Sequence, residues 1–137
     1  MKIYFDENTS RYLCRGLQEL QTSRNNGSTE SIEVLSVEVE FGMGTDDEDW
    51  IPVVGKAKGV AITHDLNIMR TKHQRELCEK HGVGLIIIRP PSKKEGMPYW
   101  EQVKLLINNW PAIVKLVSRT SGHYHYELKP KSGLKEM

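Results

Sequence analysis

Ile3-Tyr4-Phe5-Asp6-Glu7-Asn8 runs three apolar, strand-favouring side chains into two carboxylates and an amide. A helix signal follows at once. Thr9 and Ser10 both suit a helix N-cap, and Tyr12, Leu13, Leu17 and Leu20 recur at helical spacing. A strand that ends in acids just before a helix puts those acids at the carboxyl edge of a sheet, where open α/β sheets bind their ligands. Neighbouring carboxylates repel unless a cation sits between them. Two readings follow from this stretch alone: a divalent-metal site, or a polar turn whose acids favour the helix N-terminus.

The chain has 137 residues, 38% of them hydrophobic, which suits one globular domain with a real core. No run approaches the roughly 18 apolar residues of a membrane span. Lys2 is followed by only three apolar residues before Asp6, so no signal peptide is expected and the location is read as cytoplasmic. Cys14 and Cys78 lack CxxC spacing and fall in helix-like segments, as reduced cytosolic thiols do. The net charge of +1 hides an asymmetry. Residues 1–70 carry seven Lys/Arg against twelve Asp/Glu, and residues 71–137 carry twelve against six. An acidic half joined to a basic half suits a metal enzyme acting on a polyanion, or is an accident of solvated faces.

Further along, the first helix is expected to end near Leu20, and residues 21–31 (QTSRNNGSTES) read as an exposed loop. IEVLSVEVEF at 32–41 reads as a strand with a bulge or break near Leu35 and Ser36. After Gly42-Met43-Gly44, any of Thr45, Asp46 or Asp47 suits the cap of a helix bearing Trp50, Ile51, Val54 and Ala57, with Pro52 distorting or delaying its start. Val60–Thr63 is a short strand leading to His64 and Asp65, and residues 70–81 form a basic helix closed by Gly82. VGLIII at 83–88 is the most apolar run, as expected of a buried parallel strand. Residues 98–109 read as a helix with Trp100, Val103, Leu106, Ile107 and Trp110 on one side, broken or restarted at Pro111. The last residues alternate tyrosine and histidine, then turn basic, as a strand or hairpin with a basic tail does. This alternation of strands and helices predicts an α/β fold with a mostly parallel sheet and right-handed crossovers.

Three acidic clusters then occupy equivalent places: Asp6 and Glu7 after the first strand, Asp46 to Asp49 opening the helix after the second, and Asp65 after the third. Hard oxygen ligands suit Mg2+ or Mn2+, ions that keep waters and bind substrate phosphates. Each cluster alone also suits a turn, a cap or a solvated face.

KIYFDENTSRYLCRGL, GTDDEDWIP, VAITHDLNIMR and HGVGLIIIR together resemble the PIN-like domains, in particular their VapC-type toxin branch, over most of residues 1–117. The resemblance implies a three-layer α/β/α fold forming a single domain over 1–137, with a core to about 117 and a C-terminal strand or hairpin and basic tail over 118–137. It implies a metal-dependent endoribonuclease that cuts single-stranded RNA with an activated water. It also implies a cognate antitoxin protein and a homodimer as partners, with no membrane association. Residue by residue, it makes Asp6, Asp47 and Asp65 the catalytic, metal-holding acids for Mg2+ or Mn2+, with Asp46 and Asp49 as near competitors of Asp47. Glu7, Asn8, Asp46, Asp49 and Asn67 become supporting residues. Arg70 and Arg75 become candidates for substrate phosphate, against the plainer reading of solvated helix charge. His64 is a candidate for substrate contact, against the plainer reading of an ordinary exposed residue.

Two other functions compete. One is an inactive PIN-like domain that binds nucleic acid or protein. The other is a receiver-like phospho-signalling module, which needs a lysine where this chain has Arg89.

Overall fold

The computed structural model describes residues 1–27, 31–64, 67–91 and 96–137. In chain order these form β1 (Lys2–Phe5), α1 (Arg11–Asn25), β2 (Glu33–Ser36), α2 (Val37–Phe41), α3 (Asp47–Lys56), β3 (Val60–His64), α4 (Ile68–His81), β4 (Gly84–Ile88), α5 (Tyr99–Arg119), β5 (Tyr124–Lys129) and β6 (Gly133–Glu136). The strands make one sheet in the order β2-β1-β3-β4-β5-β6, parallel throughout except for the closing β5–β6 pair. Helices cover both faces, so the fold is the three-layer α/β/α arrangement that the resemblance implies, on the mostly parallel sheet the alternation predicts.

Strand alternation builds both cores. Ile3, Phe5, Ile62, Ile86 and Ile88 face α1 and α5, while Tyr4, Ala61, Leu85 and Ile87 face α3 and α4. Phe5 stacks on Trp110 of α5, with ring centroids 6.3 Å apart. β4 is buried along its whole length because it has parallel neighbours on both sides and helices on both faces. Gly84 opens β4 opposite Tyr124, and a Cβ there would lie 2.5 Å from the tyrosine ring. Gly82 ends α4 in the left-handed conformation at φ 68°, as expected of a helix C-terminus.

The structure corrects several sequence expectations. The strand expected over 32–41 stops at Ser36, and Val37–Phe41 is helical. β1 explains this, since its last residue, Phe5, pairs with Ser36 and leaves nothing for a longer strand to bond. Ser36 then caps α2 through its hydroxyl, which accepts from the Val39 amide. α1 runs on to Asn25 instead of ending near Leu20. Its buried side is Leu13, Cys14, Leu17 and Gln21, with Tyr12 and Leu20 exposed. Gln21 lies in the core because its Oε1 accepts from Trp110 Nε1, and Asn25 bonds both the N–H and the C=O of Ile32. α3 accommodates Pro52 in its interior. α5 continues through Pro111, which lies on the solvent side where the lost N–H bond is cheapest, and Trp100 is exposed instead of buried.

The uniform hand expected of the crossovers does not hold. α4 and α5 each carry the chain one strand further in the same direction, yet they lie on opposite faces. The β4–α5–β5 connection therefore has the opposite hand to the three before it, a departure from a rule that about 98% of such units obey. Among the described residues, no helix is long and apolar enough to cross a membrane.

Candidate active site

The chain leaves β1 toward β2 on one side and later returns to place β3 on the other. The crevice beyond the carboxyl ends of β1 and β3 is thus the topological switch point, where sheets of this kind take their ligands. Asp6 is the first residue past β1 and His64 is the last of β3. The Asp6 amide donates to the Ile62 carbonyl at 3.1 Å, which fixes the acid against the neighbouring strand.

Asp6 is 1% exposed, yet its carboxylate is poorly met. Its Oδ2 receives two long bonds of 3.4 Å, from the Asn8 side-chain amide and the His64 backbone N–H. Charge-assisted bonds normally close to about 2.7–2.9 Å, so both contacts are weak. Its Oδ1 is buried and has no hydrogen-bond partner among the described residues. His64 is not the exposed residue the sequence suggests. Its side chain is 10% exposed, Nδ1 lies 3.8 Å from Asp6 Oδ1 and shares a 3.2 Å hydrogen bond with the Thr9 hydroxyl. Its Nε2 is likewise buried without a partner among the described residues, as is the hydroxyl of Thr63. Each such orphan costs about 1–3 kcal/mol, and more when charged, so three at adjacent strand ends make this the candidate site.

Asp47 meets a different environment. It opens α3 after Asp46, whose side chain makes no cap bond. Its Oδ1 accepts from Trp50 Nε1 at 3.0 Å and Gln74 Nε2 at 3.4 Å, and the Arg70 guanidinium lies 3.7 Å away. One carboxylate oxygen therefore clamps α3 onto α4, and Arg70 serves that clamp. Glu48 pairs with His73 across the same two helices. Its carboxyl is held below the usual range first by its own backbone N–H and then by His73. Asp46 and Asp49 stand in solvent. The acidic cluster also opens the second helix after β2 instead of the first, because α2 intervenes.

The remaining candidates divide. Glu7 reaches across to accept from the Gly44 amide at 2.7 Å, tying the exit of β1 to the turn before α3. Asn67 caps α4, its Oδ1 accepting from the Arg70 amide at 2.8 Å. Arg75 is exposed on α4. Asp65 lies outside the described residues. Among the described residues, no group of three or more His, Cys, Asp or Glu side chains is placed to hold a metal. What the structure does gather is Asp6, Asn8, Thr9 and His64. Thr9 and His64 have no periodicity to betray them, and the one signal for them is the position of each beside a strand-ending acid.

A buried carboxylate under-supplied with donors, beside an imidazole, thus sits at the switch point of a doubly wound α/β sheet. The family model described as a PIN like domain matches residues 1–90, and the chain belongs to that family. The match runs from β1 to just past β4 and stops before the crossover of reversed hand. Comparisons with curated proteins and with solved structures give no match. Family membership points to nuclease or, more broadly, hydrolase activity.

Proposed function

We propose that the protein is a Mg2+- or Mn2+-dependent endoribonuclease of the VapC-type branch. It hydrolyses single-stranded RNA in the cytoplasm, as the toxin of a toxin–antitoxin pair. The observation that carries this reading is the Asp6 carboxylate, buried at the switch point with Oδ1 unmet. A divalent ion fits that need, since a hard cation satisfies an unpaired buried carboxylate oxygen better than any neutral donor. Asp6 and Asp65 are the acids proposed to hold it, with His64 at the margin of the site. When bound, such an ion supplies an activated water and offsets the charge that develops on the phosphodiester. Asn8 and the His64 amide orient Asp6, and the Thr9 hydroxyl fixes the His64 ring. Asp47 holds α3 to α4, with Arg70 and Gln74 as its partners. The whole chain is read as one domain that pairs with an antitoxin protein and with a second copy of itself.

Purified protein is expected to cleave single-stranded RNA when Mg2+ or Mn2+ is added, and Asp6→Asn or Asp65→Asn is expected to abolish cleavage. Undiminished cleavage in both variants rejects the assignment. The occupation of Asp47 Oδ1 favours one rival, a PIN-like binding domain without turnover. Tight RNA binding with no metal-dependent cleavage selects that rival. A receiver-like module is disfavoured, because Arg89 stands where it needs a lysine and is bound to Glu127.

A further inference from the structure

The segment that follows the family match builds a feature of its own. Arg89, Pro90 and Pro91, just beyond β4, face the β5–β6 turn at Lys129, Pro130, Lys131 and Ser132 across a cavity of about 640 Å³. Beneath it lies Glu127, 4% exposed, whose Oε1 accepts from Arg89 Nε at 2.8 Å and whose Oε2 lies 3.7 Å from Lys129 Nζ. One buried carboxylate thus sets two cations side by side at the cavity wall, and Lys131 adds a third. Among the described residues, three cations, Arg89, Lys129 and Lys131, thus stand at this cleft around the one carboxylate of Glu127. Its frame is stiff, since Pro90, Pro91 and Pro130 have fixed φ and the Arg89 amide bonds the Leu128 carbonyl at 2.9 Å.

Pro91 and Pro130 also line a second cavity of about 260 Å³, which runs along α5 past Pro98, Glu101 and Lys104. The first turn of α5 carries Tyr99 and Trp100, packed edge to face with centroids 5.2 Å apart. Trp100 is 70% exposed, so its ring is open for a base to stack on. Cations along a groove beside an accessible aromatic pair are the arrangement that holds single-stranded nucleic acid, phosphates on the charges and bases on the rings. The position suits the proposed chemistry. The cleft lies at the carboxyl ends of β4 and β5, on the same edge of the sheet as Asp6 and His64. Strands are spaced about 4.8 Å apart, so β3 and β1 are roughly 10–15 Å from β5, which a short oligonucleotide spans.

We infer that the cleft between Arg89-Pro90-Pro91 and the β5–β6 turn, with the Tyr99–Trp100 pair beside it, is a binding track for the single-stranded RNA whose cleavage is proposed at Asp6. The inference rests on the nuclease reading for its choice of ligand but is testable without turnover. Lys129 and Lys131 are exposed and Trp100 mostly so, so that their substitution leaves the core intact.

The test is fluorescence anisotropy of a short fluorescein-labelled poly-uridine RNA, titrated in EDTA with the wild-type protein, the Lys129→Ala/Lys131→Ala double variant and Trp100→Ala. The double variant is expected to lose affinity, with the slope of log affinity against log salt shallower by about 0.7 for each lysine removed. Trp100→Ala is expected to weaken binding by about tenfold with the salt slope unchanged. Unaltered affinity and slope in the double variant overturn the inference. So does a result in which labelled poly-glutamate, but not RNA, binds in a manner that depends on the two lysines, which assigns the cleft to an acidic protein partner. If the wild type cleaves RNA with added metal while the lysine variant binds normally, the cleft fails and the nuclease stands. If the lysine variant loses affinity while no metal supports cleavage, the cleft stands and the nuclease fails.

Discussion

Asp6 and Asp47 are both buried carboxylates in acidic stretches of the chain, and their surroundings are opposite. Asp47 Oδ1 is met by an indole N–H, a side-chain amide and a nearby guanidinium. Asp6 has two long hydrogen bonds on one oxygen, while the other has no hydrogen bond among the described residues and only the His64 ring, 3.8 Å away. The difference separates structure from chemistry. A carboxylate whose partners come from two helices holds those helices together, while Asp6, short of donors among the described residues, is the one proposed to hold an ion. Each acid also raises a buried thiol. Burial and Asp6 push Cys14 up to about 12, and burial and Asp47 do the same to Cys78.

The largest expected effect lies at Asp6. Asp6→Asn should lower metal-supported RNA cleavage by at least about 100-fold, measured under single-turnover conditions. The same substitution should leave thermal stability unchanged or raise it slightly, because it removes a poorly compensated buried charge. A variant that loses activity only because it unfolds erases the contrast.

Asp47→Ala should do the reverse. It strands the Trp50 indole N–H and the Gln74 amide, at a cost of about 1–3 kcal/mol of stability by urea unfolding. Residual cleavage below the midpoint of that transition should exceed that of Asp6→Asn. A stable Asp47→Ala protein with no activity makes Asp47 part of the chemistry instead.

The smallest effect concerns the thiols. With pKa values near 12, Cys14 and Cys78 stay protonated in the folded protein at pH 8, and iodoacetamide should label neither until denaturant is added. An unfolded thiol ionises near pH 8.5, so the stability these thiols contribute is complete below that pH and is lost as the pH rises toward 12. Asp6→Asn should ease Cys14 and leave Cys78 alone. Equal changes at both thiols contradict the separation of the two acids.

The strands were legible where a single face or a wholly apolar run decided them, as in Ile3–Phe5 and Gly84–Ile88. Helix ends were legible where Gly82 or Ser10 carried the local chemistry. The turn from strand to helix at Ser36 was hidden, because β1 is what ends the ladder and lies thirty residues away in the chain. The length of α1 was hidden because Gln21, polar in composition, is buried by its partner Trp110, and the half-buried Asn25 is held by Ile32. At the site, the acids announce themselves and their satisfaction does not. Asp6 and Asp47 look alike in sequence, and only the packing of Trp50 and Gln74 tells them apart. His64 reads as an exposed residue until Thr9 is brought 3.2 Å from its ring. The reversed crossover through α5 has no sequence signature, and it falls just where the family match ends.

The most direct measurement is calorimetric titration of Mn2+ into the wild-type protein, Asp6→Asn and Asp47→Asn, each first shown to be folded. Binding by the wild type and by Asp47→Asn, with none by Asp6→Asn, is the expected result. Mn2+ binding that survives Asp6→Asn and disappears in Asp47→Asn contradicts the assignment of Asp6 as the carboxylate left open for an ion.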